Sequence, residues 1–148
     1  MKKYYHLLTF GAIIIIIISV FSGFSNPVEE DIVKELLEQR TSIMQKAFYN
    51  QITKERAEAE LERIETYPII TDDIKQLRQW DSTDIDVVKK MSITNIKTEK
   101  NLLEYMTYRV DIIWEMSGLS EDYFMEGGYH VVFKKINNQY KLSCFDPI

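Results

Sequence analysis

Residues 105–116 read YMTYRVDIIWEM and carry the clearest structural signal in the chain. Apolar side chains recur at every second position from Met106 to Met116, whereas most positions between them are polar. Successive side chains of a strand point to opposite faces of its sheet, so this alternation predicts a strand with one face on a core and one in water. The predicted core face consists of Met106, Tyr108, Val110, Ile112, Trp114 and Met116.

Three further strands are predicted around Met91, Ile93 and Ile96, over residues 122–135 and over residues 140–144. Gly127-Gly128 lies within the third strand, where glycine indicates a bulge or a sharp bend. Asn137-Asn138 separates the last two strands, and asparagine tolerates the positive φ of a tight hairpin turn. The second half of the chain is therefore predicted to be an antiparallel meander of about four strands.

A long helix is predicted before the strands, from Val28 onward. Apolar residues recur there at three- and four-residue steps, which is the pattern of an amphipathic helix. The stripe consists of Ile32, Leu36, Leu37, Ile43, Met44, Ala47 and Phe48. One face of this helix should therefore pack on the sheet.

Two shorter helices are expected next. One covers residues 54–67, with Thr53 as its N-cap, Pro68 as its stop and its glutamates on a solvated face. The other is capped by Thr71-Asp72-Asp73 and ends near Trp80. Helices followed by strands indicate an α+β domain, here two to three helices packed on a curved antiparallel sheet.

Residues 7–24 form an uncharged apolar run that includes six consecutive isoleucines and follows Lys2 and Lys3. A helix of that length spans about 27 Å, close to the bilayer core of about 30 Å. Lysines stay on the cytoplasmic side, so residues 1–25 are predicted to anchor the chain in the lipid bilayer with residues 26–148 outside the cytoplasm. A cleaved signal peptide, which would release a secreted domain, is the alternative.

Composition excludes several classes of function. With Lys2 and Lys3 assigned to the anchor, the net charge of −5 becomes about −7 for residues 26–148, so no nucleic-acid partner is expected, because nucleic acids demand basic patches. One cysteine excludes an internal disulfide, and two histidines exclude a histidine-rich metal site. No cofactor is indicated.

The order of elements, a long helix, shorter helices and then long strands with a Gly-Gly interruption and a closing hairpin, resembles the nuclear-transport-factor-2-like superfamily over Val28 to Ile148. Cystatin-like domains share much of this pattern and stay open as the alternative. The resemblance implies a curved sheet that wraps a helix into a cone. It also implies that an enzyme of this kind would hold a carboxylate or histidine inside the cone. The superfamily includes isomerases, dehydratases, binding domains and outer domains of type IV secretion assembly proteins.

The residues that could take part in acid–base, nucleophilic or metal chemistry are not predicted to lie inside the cone. Arg109 and Asp111 fall on the wet face of their strand, and His130 should point to solvent. Cys144 is in phase with Leu142 and is expected to behave as a small buried hydrophobe. The acidic group Asp81, Asp84 and Asp86 fails the EF-hand pattern, because glycine and glutamate are missing from its sixth and twelfth positions.

No catalytic or metal-binding residue is therefore predicted, and Tyr108, Trp114 and Phe48 are the candidates for lining a ligand pocket. The predicted function is a membrane-tethered, non-enzymatic binding or assembly domain that binds a protein or a small apolar ligand outside the cytoplasm. A second copy of the chain is a further candidate partner. The alternatives are a small secreted or tethered isomerase or hydrolase that uses the cone, and a structural subunit of a cell-envelope or secretion assembly. A flat outer face carrying Tyr105, Thr107 and Ile113 would favour assembly.

Overall fold

The computed structural model describes residues 27–79, 86–102 and 104–148. Within these ranges the chain forms three helices and then one antiparallel sheet of four strands, which confirms the α+β class. The helices are α1 (Pro27–Phe48), α2 (Lys54–Ile64) and α3 (Ile69–Gln79); the strands are β1 (Val87–Leu102), β2 (Tyr105–Ser117), β3 (Asp122–Ile136) and β4 (Gln139–Pro147). None of these helices is both long and apolar enough to cross a bilayer, and the predicted anchor at residues 7–24 lies outside the described residues.

The sheet is a meander in the order β1-β2-β3-β4. The alternation of β2 is confirmed, because every second residue from Met106 to Met116 is buried. The predicted tight turn between β3 and β4 is also confirmed, since Asn137 and Asn138 have φ values of 50° and 65°. These buried residues of β2 pack with residues of α1 and of β3 and β4 in one hydrophobic cluster.

The first strand is longer and less regular than predicted. Its pairing with β2 shifts register at three places, after Val88, Ile93 and Thr98. Residues opposite the core face of β2 therefore recur at unequal steps of three and two, as at Val88, Met91, Ile93 and Ile96. Bulges of this kind increase the local twist of a strand, and they explain why the sequence of β1 alternates so poorly.

The bulge predicted at Gly127-Gly128 is wrong with respect to β2, because β2 and β3 pair without a register shift from Tyr105 to Ser117. The presence of glycine at both positions is explained instead by the close approach of neighbouring side chains. A Cβ on Gly127 would lie 3.1 Å from ring atoms of Tyr129, and one on Gly128 would lie 3.3 Å from Oδ1 of Asp111. The missing side chain at Gly127 therefore leaves room for the Tyr129 ring on the core face.

The irregularity between β3 and β4 lies instead at Ser143. Phe133 pairs with Leu142, but Val132 pairs with Cys144, so Ser143 is an extra residue in β4. Because one inserted residue reverses the facing of those that follow, Cys144 lies on the face opposite to Leu142. The expectation that Cys144 shares the buried phase of Leu142 is wrong, and Cys144 is only half-buried.

The helix boundaries differ from prediction around α2 and α3. Thr53 is the N-cap of α2, as predicted, and its side chain accepts a hydrogen bond from the backbone N–H of Arg56. However, α2 ends at Ile64, because Glu65 bridges to Leu142 and the N–H of Thr66 donates to the Leu142 carbonyl at 2.8 Å. The third helix then begins at Ile69, so the prediction of a cap at Thr71-Asp72-Asp73 is wrong.

The helices pack on one another through a second hydrophobic cluster formed by α1, α2 and α3. Its buried members are Ile43, Met44, Ala47, Ala57, Leu61, Ile64 and Leu77. The described part of the chain thus has one cluster between α1 and the sheet and another between the helices.

Candidate functional site

A cavity of about 320 Å³ lies between the C-terminal half of α1 and the sheet. This volume is at the lower end of the range typical of small-molecule sites. Methionine and aromatic side chains form most of its wall: Met44, Phe48, Tyr49, Trp114, Met116, Met125 and Tyr129. Methionine is flexible and polarizable, so such a wall adapts to apolar ligands of different shapes.

The aromatic side of the cavity is held by contacts among the strands. The indole Nε1 of Trp114 donates a hydrogen bond to the hydroxyl of Tyr129 at 3.0 Å, and the two rings meet edge to face. Tyr129 also stacks on Phe145 with a centroid separation of 4.5 Å. These contacts fix the orientation of Trp114 and Tyr129 before any ligand arrives.

Several polar side chains of the cavity are already bonded within the protein. The Gln45 carboxamide donates to the Val88 carbonyl at 3.2 Å and accepts from the Val88 N–H at 2.7 Å, which ties α1 to β1. Thr41 donates its hydroxyl hydrogen to the Leu37 carbonyl at 2.9 Å. A ligand therefore gains little hydrogen bonding from Gln45 and Thr41.

Arg40, which also borders the cavity, belongs to a buried cluster of charged groups. Its Nε and Nη2 donate to the two carboxylate oxygens of Asp73 at 2.7 and 2.8 Å, and Nε lies 3.2 Å from Oε1 of Glu65. Glu65 is 2% exposed and Asp73 is 1% exposed. The cluster joins α1, the residue after α2, and α3, so it fixes the three helices relative to one another.

Burial raises the pKa of Glu65 to about 8, and the negative charge of Asp73 adds to this effect while Arg40 opposes it. Among the described residues, neither carboxyl oxygen of Glu65 has a hydrogen-bond partner. The raised pKa favours the protonated form of Glu65, which lies beside the Arg40–Asp73 ion pair. The prediction of a solvated glutamate face on α2 is wrong for Glu65.

The sequence does contain a signal for this cluster. Arg40 lies three residues after Leu37 on the buried stripe of α1, and Asp73 lies midway between Ile69 and Leu77 of α3. Glu65 follows Leu61 by four residues. A charged residue on the buried stripe of a helix indicates a partner from another element, because isolated buried charges are costly.

The three predicted pocket residues do not lie together. Trp114 and Phe48 both border the cavity, whereas Tyr108 is not among its lining residues. Tyr108 is fully buried, and its hydroxyl donates to Glu29 at 3.3 Å. Burial raises the pKa of Tyr108 above its usual range, with a further contribution from the charge of Glu29.

The outer face of the sheet carries the residues that were predicted to lie outside the core. Asp111 accepts a hydrogen bond from Asn95 at 3.0 Å, and Arg109 is exposed. Nε2 of His130 is 3.8 Å from a carboxylate oxygen of Glu99. Tyr105 is 45% exposed, whereas Thr107 and Ile113 are half-buried.

The thiol of Cys144 lies on that face and donates to Asp146 at 3.1 Å. Burial and, to a lesser extent, this hydrogen bond raise the pKa of Cys144 to about 11, so the group stays a thiol at neutral pH. No group of three or more potential metal ligands occurs in the described ranges. Asp81 and Asp84 of the predicted acidic loop lie outside the described residues, and Asp86 borders the cavity.

A larger groove of about 940 Å³ runs between α1, α2 and the β3–β4 hairpin. Exposed, flexible side chains form much of its wall, including Glu35, Gln39, Glu62 and Arg63. Ordering such side chains around a ligand costs conformational entropy. The smaller cavity, with its aromatic wall already fixed, is the better candidate site.

No protein-family model matches this chain, and the curated proteins contain no match to it.

Proposed function

We propose that this chain is a membrane-tethered, non-enzymatic domain that binds a small, mostly apolar ligand outside the cytoplasm. The observation that carries the proposal is the cavity wall of Met44, Met116, Met125, Trp114 and Tyr129. Ligand sites are mostly apolar and aromatic, with few polar groups to orient the ligand. The uncharged run at residues 7–24 supports the tether, because its length matches a bilayer span.

The arrangement of polar groups supports binding rather than catalysis. The side chains of Gln45 and Thr41 form hydrogen bonds to the protein backbone, and the indole N–H of Trp114 donates to the hydroxyl of Tyr129. General acid–base catalysis requires a titratable group within hydrogen-bond reach of the substrate. Glu65 and Asp73 are not among the lining residues. Within the described ranges Asp86 is the carboxylate that lines the cavity; it accepts a hydrogen bond from the Tyr123 hydroxyl, and no second carboxylate or histidine lines the wall beside it.

The proposal is tested by nuclear magnetic resonance on the full chain in lipid nanodiscs, with isotope-labelled methionine methyl groups. Neutral probes such as indole and neohexyl alcohol should shift the methyl signals of Met44, Met116 and Met125. Met106, which is buried and is not a lining residue, should not respond. Equal shifts at Met106 and the cavity methionines, or no shifts at all, would contradict the proposal.

A matched pair of variants makes the test specific. Met125 borders the cavity and is 49% exposed, so Met125→Trp should fold and obstruct the site. Phe124 is its neighbour in β3, is 72% exposed and faces the other way, so Phe124→Trp adds similar bulk outside. Probe binding should weaken only in Met125→Trp.

A second candidate function, a small isomerase or hydrolase, is favoured by one observation. Burial raises the pKa of Glu65, which lies beside Arg40, and a carboxyl group with a raised pKa can act as a general acid. The two functions predict different results when Glu65→Gln is tested for complementation in a strain from which the gene has been deleted. Our proposal predicts normal complementation by Glu65→Gln, whereas an acid–base enzyme would lose its activity while it retained probe binding.

A further inference from the structure

We propose that the ligand of this cavity is a small organic cation, a protonated or quaternary amine on a short apolar body. This inference rests on the proposed function and adds the chemical class of the ligand. It is carried by two features of the cavity: an acidic side chain, Asp86, for which the described residues supply no cationic partner, and a wall that contains aromatic rings.

Among the residues that the structure describes, the charged ones that line the cavity are Arg40 and Asp86. Arg40 is balanced by Asp73, which binds its guanidinium through two hydrogen bonds. The partner of Asp86 is neutral, because its carboxylate accepts a hydrogen bond from the hydroxyl of Tyr123. Among the described residues, Asp86 forms no ion pair. Arg40 and Asp73 together are neutral, so the charge of Asp86 makes the site negative.

Four aromatic side chains, Phe48, Tyr49, Trp114 and Tyr129, border the same cavity. The face of an aromatic ring is electron-rich and attracts cations, tryptophan most strongly, and several rings together form the usual recognition site for quaternary ammonium groups. Trp114 and Tyr129 are already fixed by their mutual hydrogen bond. Methionine side chains on the remaining wall suit the alkyl part of such a ligand.

The same features disfavour ligands of other charge. An anion would meet the Asp86 carboxylate, and it would have to compete with Asp73 for Arg40. A neutral ligand of equal shape would gain the apolar contacts alone. Among ligands that fit the volume, a cation therefore gains the most from this wall.

The inference is tested by calorimetric titration of the full chain in phosphatidylglycerol nanodiscs, with empty nanodiscs as the blank. The probes are choline and neohexyl alcohol, in which carbon replaces the nitrogen of choline and removes the charge. Choline should bind roughly tenfold more tightly than neohexyl alcohol, the difference expected of a partly desolvated cation beside aromatic rings and a carboxylate. Asp86→Asn should remove most of that difference and leave the affinity for neohexyl alcohol unchanged.

Two further variants keep the result interpretable. Asp86→Glu retains the charge and should still prefer choline, which separates the role of charge from any change in folding. Asp122→Asn removes an exposed carboxylate at the start of β3, outside the cavity, and should bind both probes like the wild type. Loss of the choline preference in Asp122→Asn would contradict the role of Asp86.

The outcomes also separate this inference from the proposed function. If neohexyl alcohol binds as tightly as choline, the cation inference is wrong while the binding function stands. If neither probe binds, both are wrong. A third probe, monomeric dihexanoylphosphatidylcholine, carries the same cation on a lipid headgroup. If this lipid binds more tightly than choline, the natural ligand is a phospholipid. If it binds more weakly than choline, the natural ligand is a free amine.

Discussion

Replacement of Glu65 by glutamine should remove a large pH dependence from the stability of the domain. Burial raises the pKa of Glu65 from 4.5 to about 8 in the folded protein, so the folded state holds this proton more tightly than the unfolded state does. The stability from this group is fully present below pH 4.5 and is lost as the pH rises to about 8. A gap of this size corresponds to on the order of 5 kcal/mol in the free energy of unfolding.

Glutamine has nearly the shape of a protonated glutamate but does not ionise, so Glu65→Gln should be as stable as the wild type near pH 4. At pH 9 the variant should be more stable by on the order of 5 kcal/mol, because the wild type must then bury a charged carboxylate beside Asp73. The assay is urea unfolding of a soluble fragment, residues 26–148, followed by circular dichroism from pH 4 to 9. Glu62→Gln, an exposed glutamate of α2, is the control and should follow the wild type. Parallel curves for Glu65→Gln and the wild type would refute the reasoning.

Three further predictions concern the core, the glycine under Tyr129 and the tether. Trp114→Ala should lower the free energy of unfolding of the fragment by about 3–5 kcal/mol in urea titrations. Arg109→Ala on the exposed face should change it by less than about 0.5 kcal/mol. Similar losses in both variants would mean that the faces of β2 are reversed. Gly127→Ala should cost about 1–3 kcal/mol, because the added methyl group would meet the Tyr129 ring at 3.1 Å, and Glu126→Ala on the exposed face is its control. Alkaline carbonate extraction should leave the full chain in the membrane pellet; a soluble form that begins near Gly23 or Asn26 would show a cleaved signal peptide instead.

The regular parts of the fold could be predicted because they depend on local patterns. The alternation along β2, the Asn137-Asn138 turn and the Thr53 cap each use a rule that acts within a few residues. The bulges of β1 and the extra residue at Ser143 could not be predicted, since they are set by how two distant strands pair. Cys144 was assigned to the wrong face for this reason.

The candidate site was predicted only in part. Trp114 and Phe48 border the cavity, but Tyr108 is buried in the core away from it. The cluster of Arg40, Glu65 and Asp73 was missed because its members come from three segments and each looks like an ordinary charge on a helix. Their positions on buried stripes were the available signal, and it becomes meaningful only when the three helices are packed together.

The measurement that tests the central claim most directly is the location of a bound ligand in the full chain in nanodiscs. Intermolecular nuclear Overhauser effects report which protein hydrogens lie next to the methyl groups of neohexyl alcohol or choline. A ligand bound in the cavity should give such effects to the indole of Trp114 and to the methyl groups of Met44 and Met116, which line the cavity. Effects confined to Ile32 and Leu36, in the groove between α1 and α2, would place the ligand elsewhere and contradict the account.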